Sequence, residues 1–315
     1  MMVVALAIIK STSIALLGYY LYKKDYINTK VLDFLIFFVI NFAVPCLAFA
    51  HLVENLKVNT QPSLGVFLLL SIIIFVISFL VGLLFSFRKS HEFKREFISL
   101  VSFQNSGYLP MNIALFLFPP VLRETFLVYI FLYILGFDII MWSIGSFFIF
   151  KKKEDEFKIK SILTPPIISI ALALVLVYTG GARFLPDIFI GPVKMVGETS
   201  FVLSMIIVGC WLARVELNGL YKKLLIILEA SFAKLVILPS LFLFIVVKLD
   251  VTPLLGLFII LQAAMPSAVS LPIVVNLRNA DSEFVSQGVL VTHLISIITV
   301  PLWLGLYVRL THFSF

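Results

Sequence analysis

Residues 103–110 read FQNSGYLP and residues 262–268 read QAAMPSA, and these two stretches decide the fold. Each places polar, small and proline residues in the middle of an apolar run. An unwound segment within a bilayer is tolerated only where it is buried in protein or lines a cavity. Paired interruptions at corresponding positions of two halves are therefore the best sequence indication of a transporter's binding site.

The composition places the whole chain in a membrane. Its 315 residues are 61% hydrophobic and only 13% charged, with a mean hydropathy of +1.12. A soluble domain is about 25% charged, and a membrane-spanning helix needs roughly 20 apolar residues. We therefore predict an all-α polytopic membrane protein with ten transmembrane helices. The apolar runs are 3–22, 31–51, 64–87, 97–118, 124–150, 161–179, 192–212, 223–248, 254–276 and 284–310.

The runs divide into two halves of five helices, residues 1–150 and 161–315, which the loop 151–160 connects. Because each half has an odd number of spans, the two halves must have opposite orientations, as in the inverted repeats of many transporters. Each interrupted stretch falls in the fourth span of its half. The pattern predicts two inverted five-helix repeats in which helices 4 and 9 are broken.

The basic residues predict the orientation, because Lys and Arg concentrate on the cytoplasmic side of membrane proteins. Most of the 24 basic residues lie in the loops that follow predicted spans 1, 3, 5, 7 and 9. These are Lys23, Lys24, Lys30, Arg88, Lys89, Lys94, Arg95, Lys151, Lys152, Lys153, Lys158, Lys160, Arg214, Lys222, Lys223 and Arg278. We expect a multi-pass protein of the cell (plasma) membrane with both termini outside and the loop 151–160 in the cytoplasm.

Several segments in a fixed order carry a family resemblance. They are residues 18–22, 41–49, 105–110, 209–213, 234–239, 265–268, 281–283 and 292–301. In these segments the sequence resembles the auxin efflux carrier family, with its plant PIN carriers and bacterial malonate-type carriers, in the bile acid–sodium symporter-like superfamily. The resemblance implies ten helices, with helices 4 and 9 crossing near the membrane midplane. The sequence differs from the plant carriers in the loop 151–160, which is short here.

The resemblance and the interruptions together indicate a secondary active or facilitative transporter. We expect it to move a small organic anion, such as a mono- or dicarboxylate, by an alternating-access mechanism of the elevator type. The expected partners are that anion and membrane lipids, with a coupling proton or sodium ion and a homodimer as open alternatives. The net charge of +7 does not indicate nucleic-acid binding, because the positive charge lies in short loops between apolar spans.

The two interruptions also predict an anion site. Breaks near Gly107 and Pro266 would create half-helix N-termini inside the protein, each with unpaired N–H groups and an effective charge of roughly +0.5. Such ends bind anions. The candidate substrate-binding residues are Asn41, Gln104, Asn105, Ser106, Gly107, Pro110, Gln262, Met265, Pro266 and Ser267. Alternatively, Asn105 and Gly107 accommodate only a kink, and Asn41 bonds only the backbone freed by Pro45.

Three ionisable residues inside the spans are candidates for coupling. Asp138 lies in helix 5, where an ionisable group costs roughly 2.5–3.5 kcal/mol, so it is either protonated and structural or carries a coupling proton. His293 in helix 10 is either a packing residue or a proton relay. Lys234 either pairs with Glu229 or has the structural role that the family resemblance favours.

The sequence contains no catalytic set, so we expect no enzyme, no cofactor and no metal site. It has no phosphate-binding loop and no spacing of Cys and His that would hold a metal, and Cys46 and Cys210 lie inside apolar runs. The main alternative function is a cation/proton antiporter of related crossed-helix fold. That function needs carboxylates beside the crossover, and residues 103–112 and 262–272 contain none.

Overall fold

The computed structural model describes residues 2–57, 62–87, 89, 93–150, 163–217, 219–249, 251–277 and 280–313. Every regular element within these ranges is a helix. The predicted connecting loop 151–160 lies outside the described residues, as do Arg88 and Arg278.

Seven helices of the described chain are long and apolar enough to cross a membrane. They are Val3–Lys23, Thr29–Asn55, Leu64–Ser86, Pro120–Ser143, Asp187–Arg214, Leu220–Lys248 and Ser282–Thr311. These helices coincide with predicted spans 1, 2, 3, 5, 7, 8 and 10. Predicted span 6 corresponds to a shorter apolar helix, Pro165–Tyr178, and predicted spans 4 and 9 are each divided into two short helices.

Four of the long elements are single helices, and three contain a π-helical turn. The single helices are α1 (Met2–Lys23), α4 (Leu64–Ser86), α10 (Asp187–Arg214) and α15 (Ser282–Thr311), and predicted span 6 is α9 (Pro165–Tyr178). The π-turns Val39–Ala43, Ile140–Ile144 and Ala233–Ile237 join the pairs of helices that make up spans 2, 5 and 8. These pairs are α2 (Thr29–Phe38) with α3 (Val44–Asn55), α7 (Pro120–Ile139) with α8 (Gly145–Phe150), and α11 (Leu220–Phe232) with α12 (Leu238–Lys248).

Proline explains two of the π-turns. Pro45 and Pro239 each stand at the second position of the helix that follows the turn. A proline cannot donate to the carbonyl four residues before it, and a π-turn is one way to accommodate the missing bond. The carbonyl that Pro239 leaves free is that of Leu235, which accepts a 2.7 Å hydrogen bond from the indole Nε1 of Trp303. A neighbouring helix thus satisfies the freed backbone group, as a bilayer requires.

The two predicted interruptions are real breaks. Span 4 consists of α5 (Lys94–Ser102) and α6 (Tyr108–Leu117), and span 9 consists of α13 (Pro253–Ala264) and α14 (Leu271–Leu277). Residues 103–107 and 265–270 therefore lie outside any helix. Both segments are almost completely buried, so they lie in the protein interior and not against lipid.

The helices pack as two groups. The first helix group, defined as α1, α2, α3, α9 and α10, has its main contacts between α1 and α10 and between α3 and α9. Backbones approach closely there: a Cβ at Gly209 would lie 1.8 Å from the carbonyl oxygen of Ala15, and one at Gly197 would lie 2.5 Å from the nitrogen of Leu47. Small residues at such positions allow membrane helices to pack tightly. The second helix group, defined as α4, α5, α7 and α11–α15, surrounds the two breaks.

Candidate functional site

The two breaks contact each other through their backbones. Gln104 and Ser267 form an isolated antiparallel bridge. The N–H of Asn105 donates to the carbonyl of Pro266 at 2.8 Å, and the N–H of Ala268 donates to the carbonyl of Phe103 at 3.0 Å. Each unwound segment thereby satisfies backbone groups of the other, which explains how both are tolerated inside an apolar protein.

Side chains satisfy the end of α5 at this contact. The last carbonyls of a helix have no partner within it. Ser267 Oγ donates to the carbonyl of Leu100 at 2.7 Å, and Lys234 Nζ donates to the carbonyl of Val101 at 2.9 Å. Lys234 is only 1% exposed, and its amino group lies where the helix dipole is negative. Lys234 therefore contacts the end of α5, and Glu229 pairs with Lys89.

Amide side chains hold the breaks in place. Gln104 Nε2 donates to the hydroxyl of Tyr133 at 2.5 Å, and Gln262 Nε2 donates to the carbonyl of Ser106 at 3.1 Å. Asn105 Oδ1 accepts a 3.4 Å bond from the N–H of Leu109 in the first turn of α6. Part of the polar character of both stretches therefore serves to fix the unwound backbone.

A cavity of about 120 Å³, the crossover cavity, lies beside the contact of the two breaks. It is lined by Ile40, Val44, Gln104, Asn105, Ser106, Gly107, Tyr108, Met111, Ile134, Phe137, Asp138, Met141, Trp142, Thr164, Pro166, Ala268, Val269 and Ser270. Two of its lining residues each carry a buried polar atom without a hydrogen-bond partner among the described residues, namely Oε1 of Gln104 and Oγ1 of Thr164. Such unsatisfied groups are available to a ligand.

The structure brings together part of the predicted site. Four of the candidate substrate residues line the crossover cavity, namely Gln104, Asn105, Ser106 and Gly107. The remaining candidates in the two stretches, Pro110, Gln262, Met265, Pro266 and Ser267, are buried but are not among its lining residues. Asn41 uses its Nδ2 to donate to the carbonyl of Phe37 at 2.8 Å, although its neighbour Ile40 lines the cavity.

The coupling candidates are divided between two places. Asp138 lines the crossover cavity, on the wall that α7 contributes. His293 does not line this cavity; its Nε2 lies 3.4 Å from the Asn105 amide, and it lines a second, larger cavity. Sequence reasoning singled out Asp138 by its depth in the membrane but did not connect it with the broken helices. It also missed Tyr108, Trp142 and Thr164, of which only Tyr108 adjoins a recognisable break.

Ion pairs hold the helices together at both ends of the bundle. At the end predicted to lie outside, Lys194 Nζ pairs with Glu54 at 2.6 Å, and the imidazole Nδ1 of His51 contacts a carboxylate oxygen of Glu124 at 2.6 Å. The His51–Glu124 pair joins α3 of the first helix group to α7 of the second. At the end predicted to be cytoplasmic, Lys223 Nζ lies 3.1 Å from Asp281 and Lys89 pairs with Glu229.

An apolar helical protein in which two broken helices meet beside a small cavity with several polar lining residues belongs to the class of multi-pass membrane transport proteins. The profile of the family described as "Membrane transport protein" (Mem_trans) matches residues 3–304, nearly the whole chain. The chain therefore belongs to this family, which is the auxin efflux carrier or PIN-like family, and the resemblance predicted from the sequence is confirmed. A comparison with curated proteins gives no match.

Proposed function

We propose that the protein is a secondary carrier that binds a small organic anion, such as a mono- or dicarboxylate, in the crossover cavity. The observation that carries this proposal is the position of α6. This helix of ten residues begins at Tyr108, and both Tyr108 and its N-cap Gly107 line the cavity. Of the first three residues of α6, Pro110 has no N–H and the N–H of Leu109 is bonded by Asn105 Oδ1. The N-terminus of α6 thus offers the N–H of Tyr108 and an effective charge of roughly +0.5 to a ligand there.

The chemistry of the cavity wall suits a small carboxylate. The described residues that line the cavity include no Lys, Arg or His, so the helix end is its main source of positive potential. The hydroxyl of Thr164, which has no partner, can donate to a carboxylate oxygen, and the Asn105 amide lies in the same wall. A volume of about 120 Å³ suits a ligand of a few heavy atoms more than a large amphipathic molecule.

Asp138 in the same cavity indicates how transport is coupled. An organic anion and an ionised carboxylate in one small cavity repel each other, which favours binding of the anion when Asp138 is protonated. Each anion then moves together with one proton. The coupling candidate that the cavity contains is therefore Asp138, whereas Lys234 is committed to the carbonyl of Val101.

Alternating access is proposed to arise from movement of the second helix group against the first. The packing supports an inverted repeat, because equivalent helices of the two predicted halves make equivalent contacts. Contacts of span 1 with span 7 (α1 and α10) match those of span 2 with span 6 (α3 and α9). Likewise, contacts of span 3 with span 5 (α4 and α7) match those of span 8 with span 10 (α11 and α15).

A cation/proton antiporter is the second candidate, and Asp138 is the observation that favours it. A carboxylate in a cavity without a basic side chain is also a site where a cation can exchange with a proton. The two candidates predict opposite coupling: an anion enters with a proton, whereas a cation moves against one.

The test is uptake by purified protein in liposomes, with mono- and dicarboxylates and with monovalent cations, in the presence and absence of a pH gradient. We expect a carboxylate to accumulate in liposomes whose interior is more alkaline than the medium. Asp138→Asn should abolish this accumulation but retain exchange of substrate for substrate, while Asp33→Asn, which lies outside the crossover cavity, should behave as wild type. Cation exchange without carboxylate uptake would contradict the proposal.

A further inference from the structure

The second cavity, here called the lateral cavity, lies between α1, α10 and α15 and has a volume of about 650 Å³. Its wall is mainly apolar, with Ile8, Leu109, Met205 and Leu290 among the lining residues. This cavity is several times larger than the crossover cavity and shares no lining residue with it. Its size does not suit a small carboxylate.

The lateral cavity reaches the outer surface of the bundle between α1 and α15. Leu16 of α1 and Leu294 of α15 both line it, yet they are 62% and 55% exposed. Exposed apolar side chains in the middle of membrane-spanning helices face lipid. A ligand can therefore enter this cavity sideways from the bilayer.

One end of the lateral cavity carries positive charge. Lys23, at the end of α1, and Arg214, at the end of α10, both line this end, which is the end predicted to be cytoplasmic. The Lys23 ammonium lies 5.8 Å from the ring of Tyr19, and the Arg214 guanidinium lies 5.9 Å from the ring of Trp211. Neither cation forms an ion pair with a carboxylate of the described residues, although Glu216 lines the same end.

We propose that the lateral cavity binds an anionic phospholipid of the cytoplasmic leaflet. An acyl chain fills the apolar part between α1 and α15, and the phosphate of the headgroup lies between Lys23 and Arg214. An apolar wall, a side opening towards lipid and a basic rim at headgroup level are the three features that such a ligand requires. The lipid contacts α1 and α10 of the first helix group and α15 of the second, so it is placed to affect movement between them.

The headgroup interaction is tested by native mass spectrometry of delipidated protein titrated with dioleoyl phosphatidylglycerol or dioleoyl phosphatidylcholine. We expect preferential binding of the phosphatidylglycerol. Lys23→Ala combined with Arg214→Ala should weaken it about thirtyfold, since each basic residue contributes about a factor of five at a membrane surface. Lys24→Ala combined with Lys222→Ala removes the same charge outside the cavity and should leave binding unchanged. Glu216→Gln should strengthen it.

The acyl-chain interaction is tested with a matched pair in α1. Thr12 lines the lateral cavity, whereas the next residue, Ser13, is exposed on the outside of the helix. Thr12→Phe should fill part of the cavity and reduce phosphatidylglycerol binding, while Ser13→Phe should not. A phosphatidylglycerol with a diazirine in its acyl chain should crosslink to residues of α1, α10 and α15 in the wild type and much less in Thr12→Phe.

Three results would overturn the proposal. The first is equal binding of the two lipids, and the second is equal loss of binding in the two double alanine variants. The third is competition by glycerol phosphate that is as strong as that of the whole lipid, which would assign the site to a free phosphate compound. None of these readouts depends on anion transport, so the outcome is separate from that of the proposed function.

Discussion

The amide Nδ2 of Asn105 lies 3.4 Å from the imidazole Nε2 of His293, and this contact joins the wall of the crossover cavity to the wall of the lateral cavity. The other ring nitrogen, Nδ1, lies 2.9 Å from the carbonyl of Val289. Because a carbonyl only accepts, Nδ1 carries the hydrogen, and in a neutral ring Nε2 accepts from the Asn105 amide. The contacts are therefore those of a neutral imidazole that orients Asn105.

We therefore predict different outcomes for the two titratable coupling candidates. A proton on Nε2 would face the Asn105 amide hydrogens, so we infer that His293 does not carry a proton during the transport cycle. His293→Gln should therefore keep uptake driven by a pH gradient. Asp138→Asn should lose uptake driven by a pH gradient. Uptake in liposomes at several imposed pH gradients measures this, with substrate exchange as the control for folding. Loss of the pH response in His293→Gln with normal exchange would assign the proton to the histidine.

Lys234 should contribute to stability and not to coupling. Lys234→Met keeps most of the side-chain volume but removes the donor to the carbonyl of Val101. A buried carbonyl without its partner costs about 1–3 kcal/mol, so the unfolding temperature of the purified protein should fall. Lys248→Met, at the exposed end of α12, is the control and should have little effect. A Lys234→Met variant of unchanged stability but without pH-driven uptake would contradict this role.

The orientation predicts the location of reporter fusions. Fusions after residues 26, 92 and 155 should report the cytoplasm, and fusions after residues 58, 122 and 184 should report the outside, because the basic residues favour the cytoplasmic side. Alkaline phosphatase and green fluorescent protein, which are active on opposite sides of a bacterial inner membrane, provide the measurement. Cytoplasmic signals at both 58 and 122 would be incompatible with inverted repeats.

Much of the fold could be predicted because membrane spans are encoded locally. Apolar runs of about 20 residues gave the seven long helices, and the polar, proline-containing stretches marked the breaks at 103–107 and 265–270. The mutual contact of the breaks also agrees with the expectation that they meet. The shortness of α9, with 14 residues, was not predicted, because hydropathy does not show where Thr164 and Pro165 begin the helix.

The site was predicted less completely, because a stretch of sequence does not show which side of an unwound segment faces a cavity. Gln104 and Asn105 line the crossover cavity, whereas Ser267 bonds the carbonyl of Leu100. That difference depends on how the C-terminal ends of α5 and α13 are placed relative to each other. The position of Asp138 beside Gly107 depends on the packing of α7 against α6, and no local pattern reports it.

The central claim is that the crossover cavity binds a small anion at the N-terminus of α6. Calorimetric titration of the wild type with the best carboxylate from the uptake screen and with its neutral amide analogue tests it most directly. We predict a clear preference for the anion, and an affinity about tenfold or more lower in Asn105→Ala, since a hydrogen bond to a charged group contributes about 1.5–3 kcal/mol. Asn112 is a buried amide of α6 outside the cavity, so the Asn112→Ala variant should bind the anion normally. Preference for the neutral amide, or unchanged anion binding by Asn105→Ala, would contradict the claim.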